Sequence, residues 1–136
     1  MAQLHAGDRL ESPKKEAKFI IHHAIYVGVV NGLQQVVENQ INHGVRLVTL
    51  EQFRREHPDF TVTTYHGSDE ERQRIVIKAL NKLGEPYKFL KYNCETFVND
   101  VQYGTPVSHQ VKKWGIATGT LIGSFFFFKW LNNKFN

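Results

Sequence analysis

Tyr92-Asn93-Cys94-Glu95-Thr96-Phe97-Val98-Asn99 carries the single cysteine of this 136-residue chain, and the rest of the fold is read outward from it. The thiol follows a polar pair and opens a run to Val101 that reads as a helix start. Phe97, Val98 and Val101 fall at helical spacing and share one core-facing side. A cysteine at a helix N-terminus meets free backbone N–H groups and the positive end of the dipole, both of which favour the thiolate. The same residue type is also a small hydrophobe that cores often bury. Its neighbours in space decide between these readings.

The totals describe one domain with a core of its own: 41% of residues are hydrophobic and 22% charged, with no low-complexity tract. One cysteine excludes an internal disulfide framework and a Cys-based zinc site, and fits a reducing compartment. Met1 to Asp8 lacks the basic-then-apolar pattern of a signal peptide. An intracellular, cytoplasmic location is expected. A net charge of +4 and a pI near 9.2 suit an anionic surface. No nucleic-acid motif accompanies that charge, so nucleic acid is not an expected partner.

Gly7 to Glu11 reads as a first strand, broken at Ser12-Pro13 and followed by the charged loop Lys14-Lys15-Glu16. Phe19 to Val30 is β-branched and aromatic, hence strand. Alternation sets Ile20, His22, Ala24 and Tyr26 on one face and Ile21, His23, Ile25 and Val27 on the other. The second face is the more apolar, which leaves His22 on a face of small and polar groups open to a cleft. Asn31-Gly32 is a two-residue hairpin signal that returns the chain as Leu33 to Asn39. Val45 to Leu50 is a strand running toward a helix capped by Thr49, which His57-Pro58-Asp59 ends. Phe60 to Tyr65 is strand. Ser68 with Glu71 opens a helix carrying Ile75, Val76, Ala79, Leu80 and Leu83 inward and stopping at Gly84. The helix after Cys94 ends near Tyr103-Gly104, and Ser108 begins another.

Trp114 to Phe128 holds no charge until Lys129. Its fifteen residues fall short of the ~18–20 that span a bilayer. Trp114 and Trp130 flank it as interfacial aromatics do, and Gly115, Gly119 and Gly123 line one small-residue helix face. The chain therefore divides into a domain over 1–113 and an apolar C-terminal helix over 114–136. That tail reads as membrane-contacting, with a buried terminal helix as the alternative.

A cysteine needs a base to transfer acyl groups, and a neutral imidazole commonly serves. His22 on a strand and Cys94 at a helix start can meet across a strand–helix layer. Here the residues carry a resemblance. His22-His23-Ala24-Ile25-Tyr26-Val27-Gly28 together with Asn93-Cys94-Glu95-Thr96-Phe97-Val98-Asn99 resembles the lecithin retinol acyltransferase family. That family is a branch of the NlpC/P60 papain-like thiol superfamily and includes H-rev107-type phospholipase/acyltransferases and some viral 2A proteins. Support comes from Gly7-Asp8-x-Leu10-Glu11, from Ser68 to Tyr87, and from Tyr103-Gly104 to Val111.

The resemblance implies an α+β fold of the circularly permuted NlpC/P60 papain-like type, a small antiparallel sheet packed against helices. It implies Cys94 as nucleophile and His22 as general base. Where the family carries a second histidine after the hairpin, this chain has Glu38, with Asn39 the other candidate to orient the base. Asn93 and Glu95, with backbone N–H groups of the helix start, are the candidate oxyanion neighbours. Tyr26 and Tyr92 are candidate substrate contacts. The implied activity is a phospholipase A-type or N-acyltransferase reaction on acyl esters of phospholipids through a Cys94 thioester. No metal or organic cofactor is implied, and the apolar tail would bring the site to a membrane surface. A peptidase or amidase of the NlpC/P60 type, and a non-enzymatic membrane-associated protein that keeps the fold, are the alternatives.

Overall fold

The computed structural model describes residues 3–117, with the side chains of 114–117 left aside. The expected apolar tail beyond that point lies outside the described residues. β1 (Arg9–Pro13), β2 (Ile21–Val30), β3 (Leu33–Gln40), β4 (Gly44–Thr49) and β5 (Thr61–Thr63) form one antiparallel sheet in the order β4-β3-β2-β1-β5. α1 (Leu50–Glu56), α2 (Asp69–Asn81), α3 (Cys94–Tyr103) and α4 (His109–Ala117) complete the α+β architecture. α4 runs through position 113, where the sequence reading ended the domain.

The β2–β3 hairpin forms where Asn31-Gly32 signals it, with φ of 53° and 80° at the two turn residues. Both angles are positive, the geometry that Asn-Gly tolerates best. α1 and α2 open on the caps read from sequence. Thr49 accepts from the Gln52 N–H, and Ser68 with Glu71 forms a complete capping box. Gly44 has φ of 70° and lies so close to Glu85 that a Cβ would meet its carbonyl oxygen. Here β4 docks on the loop after α2, where Val45 donates to the Glu85 carbonyl at 2.8 Å.

Both faces of the sheet are covered. On one, Ile25, Val27, Val37 and Val45 pack with Ile75 and Ala79 of α2 and Phe97, Val98 and Val101 of α3. On the other, Leu10, Ala24, Tyr26, Val36 and Val48 pack with Leu50 and Phe53 of α1. A third cluster of Ala17, Ile20 and Phe89, flanked by Ile41 and Tyr87, joins the loop before β2 to the loop before α3.

Two expectations are corrected and a third is narrowed. Ser12-Pro13 does not break the first strand: β1 continues to Pro13, opposite Ile21. Leu83 does not face inward but is 41% exposed, because α2 has already ended at the Lys82 cap. The His22 face is packed under α1, with His22 1% exposed, although the ring still borders a cavity beside His57.

Candidate active site

Strand alternation builds the site. On β3, Val36 and Glu38 point toward α1, while Val37 and Asn39 point toward α3. Glu38 therefore meets His22 of the neighbouring strand: its Oε1 lies 2.8 Å from His22 Nε2, with both side chains buried. Asn39 cannot do so. Its Nδ2 donates to the carbonyls of Tyr92 at 2.7 Å and Asn93 at 3.3 Å, which pins the chain entering α3. Of the two candidates for orienting the imidazole, Glu38 reaches it.

Arg46 of β4 closes the far side of the carboxylate, 2.8 Å from Oε2, and also reaches Glu56 at 3.2 Å. His57, the residue after α1, stacks on the His22 ring at 4.8 Å between centroids, with its Nε2 3.8 Å from Glu38 Oε1. Phe53 packs against His57 at 4.6 Å. The sequence reading passed over Arg46 and His57. His57 stood only as a helix terminator, and no local pattern links it to a strand thirty-five positions earlier.

The thiol approaches from α3. Asn93 caps this helix: its Oδ1 accepts from the N–H groups of Glu95 and Thr96 at 3.0 Å each, and its Nδ2 donates to the Phe89 carbonyl. Cys94 is thereby fixed as the first residue of α3, 4% exposed, with Sγ 3.8 Å from the Ile21 carbonyl. His22 uses Nε2 on Glu38, which leaves Nδ1, without a conventional hydrogen bond among the described residues, for the sulfur. Burial would hold both groups neutral. The Cys94–His22 contact outweighs it, lowering the thiol and, with Glu38, raising the imidazole to about 9. The Lys14 charge and the His23 backbone N–H lower the thiol further. Glu38 resists burial in the same way and is held down at about 2 by its bond to His22 and by Arg46. Both shifts run in the direction that moves a proton from Cys94 to His22, and the Glu38 carboxylate lies on the far side of the ring. Burial and the His22 charge push His57 down to about 4, so it stacks as a neutral ring.

The other expected residues take different places. Glu95 does not face the thiol: its Oε1 accepts from Ser108 at 2.7 Å and from the Gln110 N–H at 3.0 Å, tying the start of α4 to α3. Because Asn93 occupies the Glu95 and Thr96 N–H groups, the Cys94 N–H is the one of these three left uncapped for an oxyanion. Tyr26 packs under α1 and donates to Gln34 at 2.7 Å. Tyr92 packs edge-on against Phe97. Neither lines the spaces around Cys94 or His22.

Two spaces meet the pair. A slot of about 10 Å³ over the thiol is walled by Ile20, Tyr87, Phe89 and Val111, with Lys14, Asn93, Ser108 and Gln110 as its polar edge. A cavity of about 430 Å³ opens beside His22 and His57, with Lys14, Lys15, His43, Arg46, Glu16 and Glu56 among its lining. Lys14 borders both, its Nζ 5.9 Å from the centre of the Tyr87 ring. Ligand atoms of His22, Glu38 and His57 lie within 4.8 Å of one another. Arg46 already compensates the carboxylate there, so the donor set suits an imidazolium better than a further metal cation.

The lecithin retinol acyltransferase family model matches residues 2–107. The chain belongs to that family. The match takes in both motif segments, the sheet, and α1 to α3. No curated protein matches the chain in sequence. Family membership is consistent with acyl-transfer or phospholipase chemistry, and the fold is the α+β arrangement expected from the sequence. Within this family the chain carries a carboxylate, Glu38, against Nε2 of its strand histidine.

Proposed function

We propose that the protein is a cysteine-dependent acyltransferase or phospholipase acting on acyl esters of phospholipids. The observation that supports this most is the buried line Cys94–His22–Glu38, with the carboxylate 2.8 Å from the imidazole and the thiol at a helix start. The Cys94 thiolate attacks the ester carbonyl, forming a carbon–sulfur bond while the carbonyl oxygen becomes an oxyanion beside the Cys94 N–H. The oxyanion collapses and the carbon–oxygen ester bond breaks. The departing alkoxide of the lysophospholipid takes the proton of the His22 imidazolium. Neutral His22 then removes a proton from water or an amine, which attacks the thioester and releases the thiolate. Glu38 holds the tautomer and orientation of His22 through both steps.

An ester does not fit a slot of about 10 Å³, so turnover requires the loops over residues 14–20 and 84–93 to separate. The mostly apolar walls, Ile20, Tyr87, Phe89 and Val111, suit an acyl chain better than a peptide. The apolar C-terminal tail, with the lysines around it, would hold the domain at a membrane. Fatty-acid release and acylated-amine formation from phospholipid vesicles test the reading. Wild type should form product, and Cys94→Ala and His22→Ala should each reduce it to background. Product formation that survives Cys94→Ala refutes the nucleophile assignment.

A further inference from the structure

The loops that close over the thiol point a second set of side chains away from it. Ala17 and Ile20 of the first loop, and Phe89 with half-buried Tyr87 of the second, turn inward and pack together. Their chain neighbours turn outward: Phe19 is 58% exposed and Leu90 54% exposed. Around these two apolar tips, Lys15, Lys18, Lys88 and Lys91 are exposed. Lys112 and Lys113 are exposed directly after Val111, which walls the same slot. The acids on these segments are Glu16 and Glu85.

Two exposed apolar tips flanked along the chain by exposed lysines match an anionic bilayer surface. The tips enter the headgroup layer and the lysines face lipid phosphates. A lysine near an anionic surface contributes about 1 kcal/mol, roughly fivefold in affinity. We propose that the loops over residues 14–20 and 84–93 are an anionic-membrane docking surface, with Phe19 and Leu90 as its inserting residues. The surface is distinct from the C-terminal tail and lies at the mouth of the thiol slot. It deepens the lipid reading above, since docking would set the slot against the layer that holds the acyl ester.

The test uses the full chain carrying Cys94→Ala, so binding is observed without turnover. A single environment-sensitive fluorophore is placed at Phe19→Cys, at Leu90→Cys, or at Leu33→Cys as control. Leu33 is also exposed, at 56%, but sits at the hairpin end of the sheet, opposite Val30. That end is roughly 25 Å along β2 from His22. With phosphatidylcholine vesicles containing phosphatidylserine, positions 19 and 90 should shift to the blue and be quenched by bromolipid. Position 33 should do neither. Lys18→Ala with Lys91→Ala should weaken the response roughly 25-fold. No shift at 19 and 90, or an equal shift at 33, overturns the proposal, as does an unchanged response with pure phosphatidylcholine. If docking holds while product formation by the wild type fails, the docking surface stands and the lipid-acyl chemistry falls.

Discussion

Replacing Glu38 by Gln should move the reactivity of Cys94 to higher pH. The substitution keeps an oxygen acceptor beside His22 Nε2, now 2.8 Å from Oε1, but removes the charge that stabilises the imidazolium. Two charges ~4 Å apart at an effective dielectric of ~20 interact by about 4 kcal/mol. At ~1.4 kcal/mol per pKa unit this is roughly three units. His22, raised to about 9 in the intact site by Cys94 first and then by Glu38, would lose the Glu38 share of that rise. At pH 7 the proton then stays on sulfur, and thiolate forms only as pH passes the ordinary cysteine range near ~8.5. The rate of alkylation of Cys94 by iodoacetamide at pH 7 should drop by about 30-fold and recover as pH rises toward ~9. Wild type should alkylate rapidly at pH 7 with little further gain. Circular dichroism and urea unfolding of the variant, run alongside, confirm that the fold is kept. An unchanged pH profile in folded Glu38→Gln would refute the thiolate–imidazolium account, whatever the enzyme's substrate.

His57→Ala should lower kcat by about tenfold at unchanged KM, by admitting water beside the His22–Glu38 pair. His57→Phe should retain most activity, since the ring stacks in its neutral form, and steady-state kinetics separates the two. Asn93→Ala should cost about 1–3 kcal/mol in urea unfolding, because it uncaps α3 and removes the Asn93 bond to the Phe89 carbonyl. Asn93→Asp, which keeps the cap, should fall between it and wild type. Stability should also decline in acid. Glu38 is held near 2 against an ordinary 4.5, so its contribution is full above pH 4.5 and is lost as pH falls through about 2. The difference is about 3 kcal/mol, visible as a falling urea midpoint between pH 5 and 2, with a shallower fall in Glu38→Gln.

The motifs at Cys94 and His22 were legible because both rest on local rules. One is a polar cap before a helix, and the other a β-branched strand that leads into an Asn-Gly hairpin. Those rules place a thiol at a helix start and an imidazole on the adjoining strand. Glu38 was reached through the family pattern, and strand alternation explains why it, rather than Asn39, meets the histidine. His22 does border a cavity, but the seven-residue α1 that folds back over the rest of its face was not foreseen. A strand read alone does not reveal what covers it. Arg46, His57 and Lys14 were invisible as site residues for the same reason: each enters through sheet pairing or loop packing, with no signature in its own neighbourhood. Tyr26 and Tyr92 looked like substrate contacts by proximity in sequence to the two motifs. In the structure Tyr26 lies under α1 and Tyr92 against Phe97, and neither lines the slot.

The most direct measurement is intact mass of the protein after brief mixing with phospholipid vesicles and acid quench. An added mass of one acyl chain, mapped to Cys94 and released by hydroxylamine, is the expected result, and it should be absent in His22→Ala. Product release with no acyl adduct on Cys94 at any quench time, or an adduct that forms as fast without His22, would contradict the Cys94–His22 mechanism.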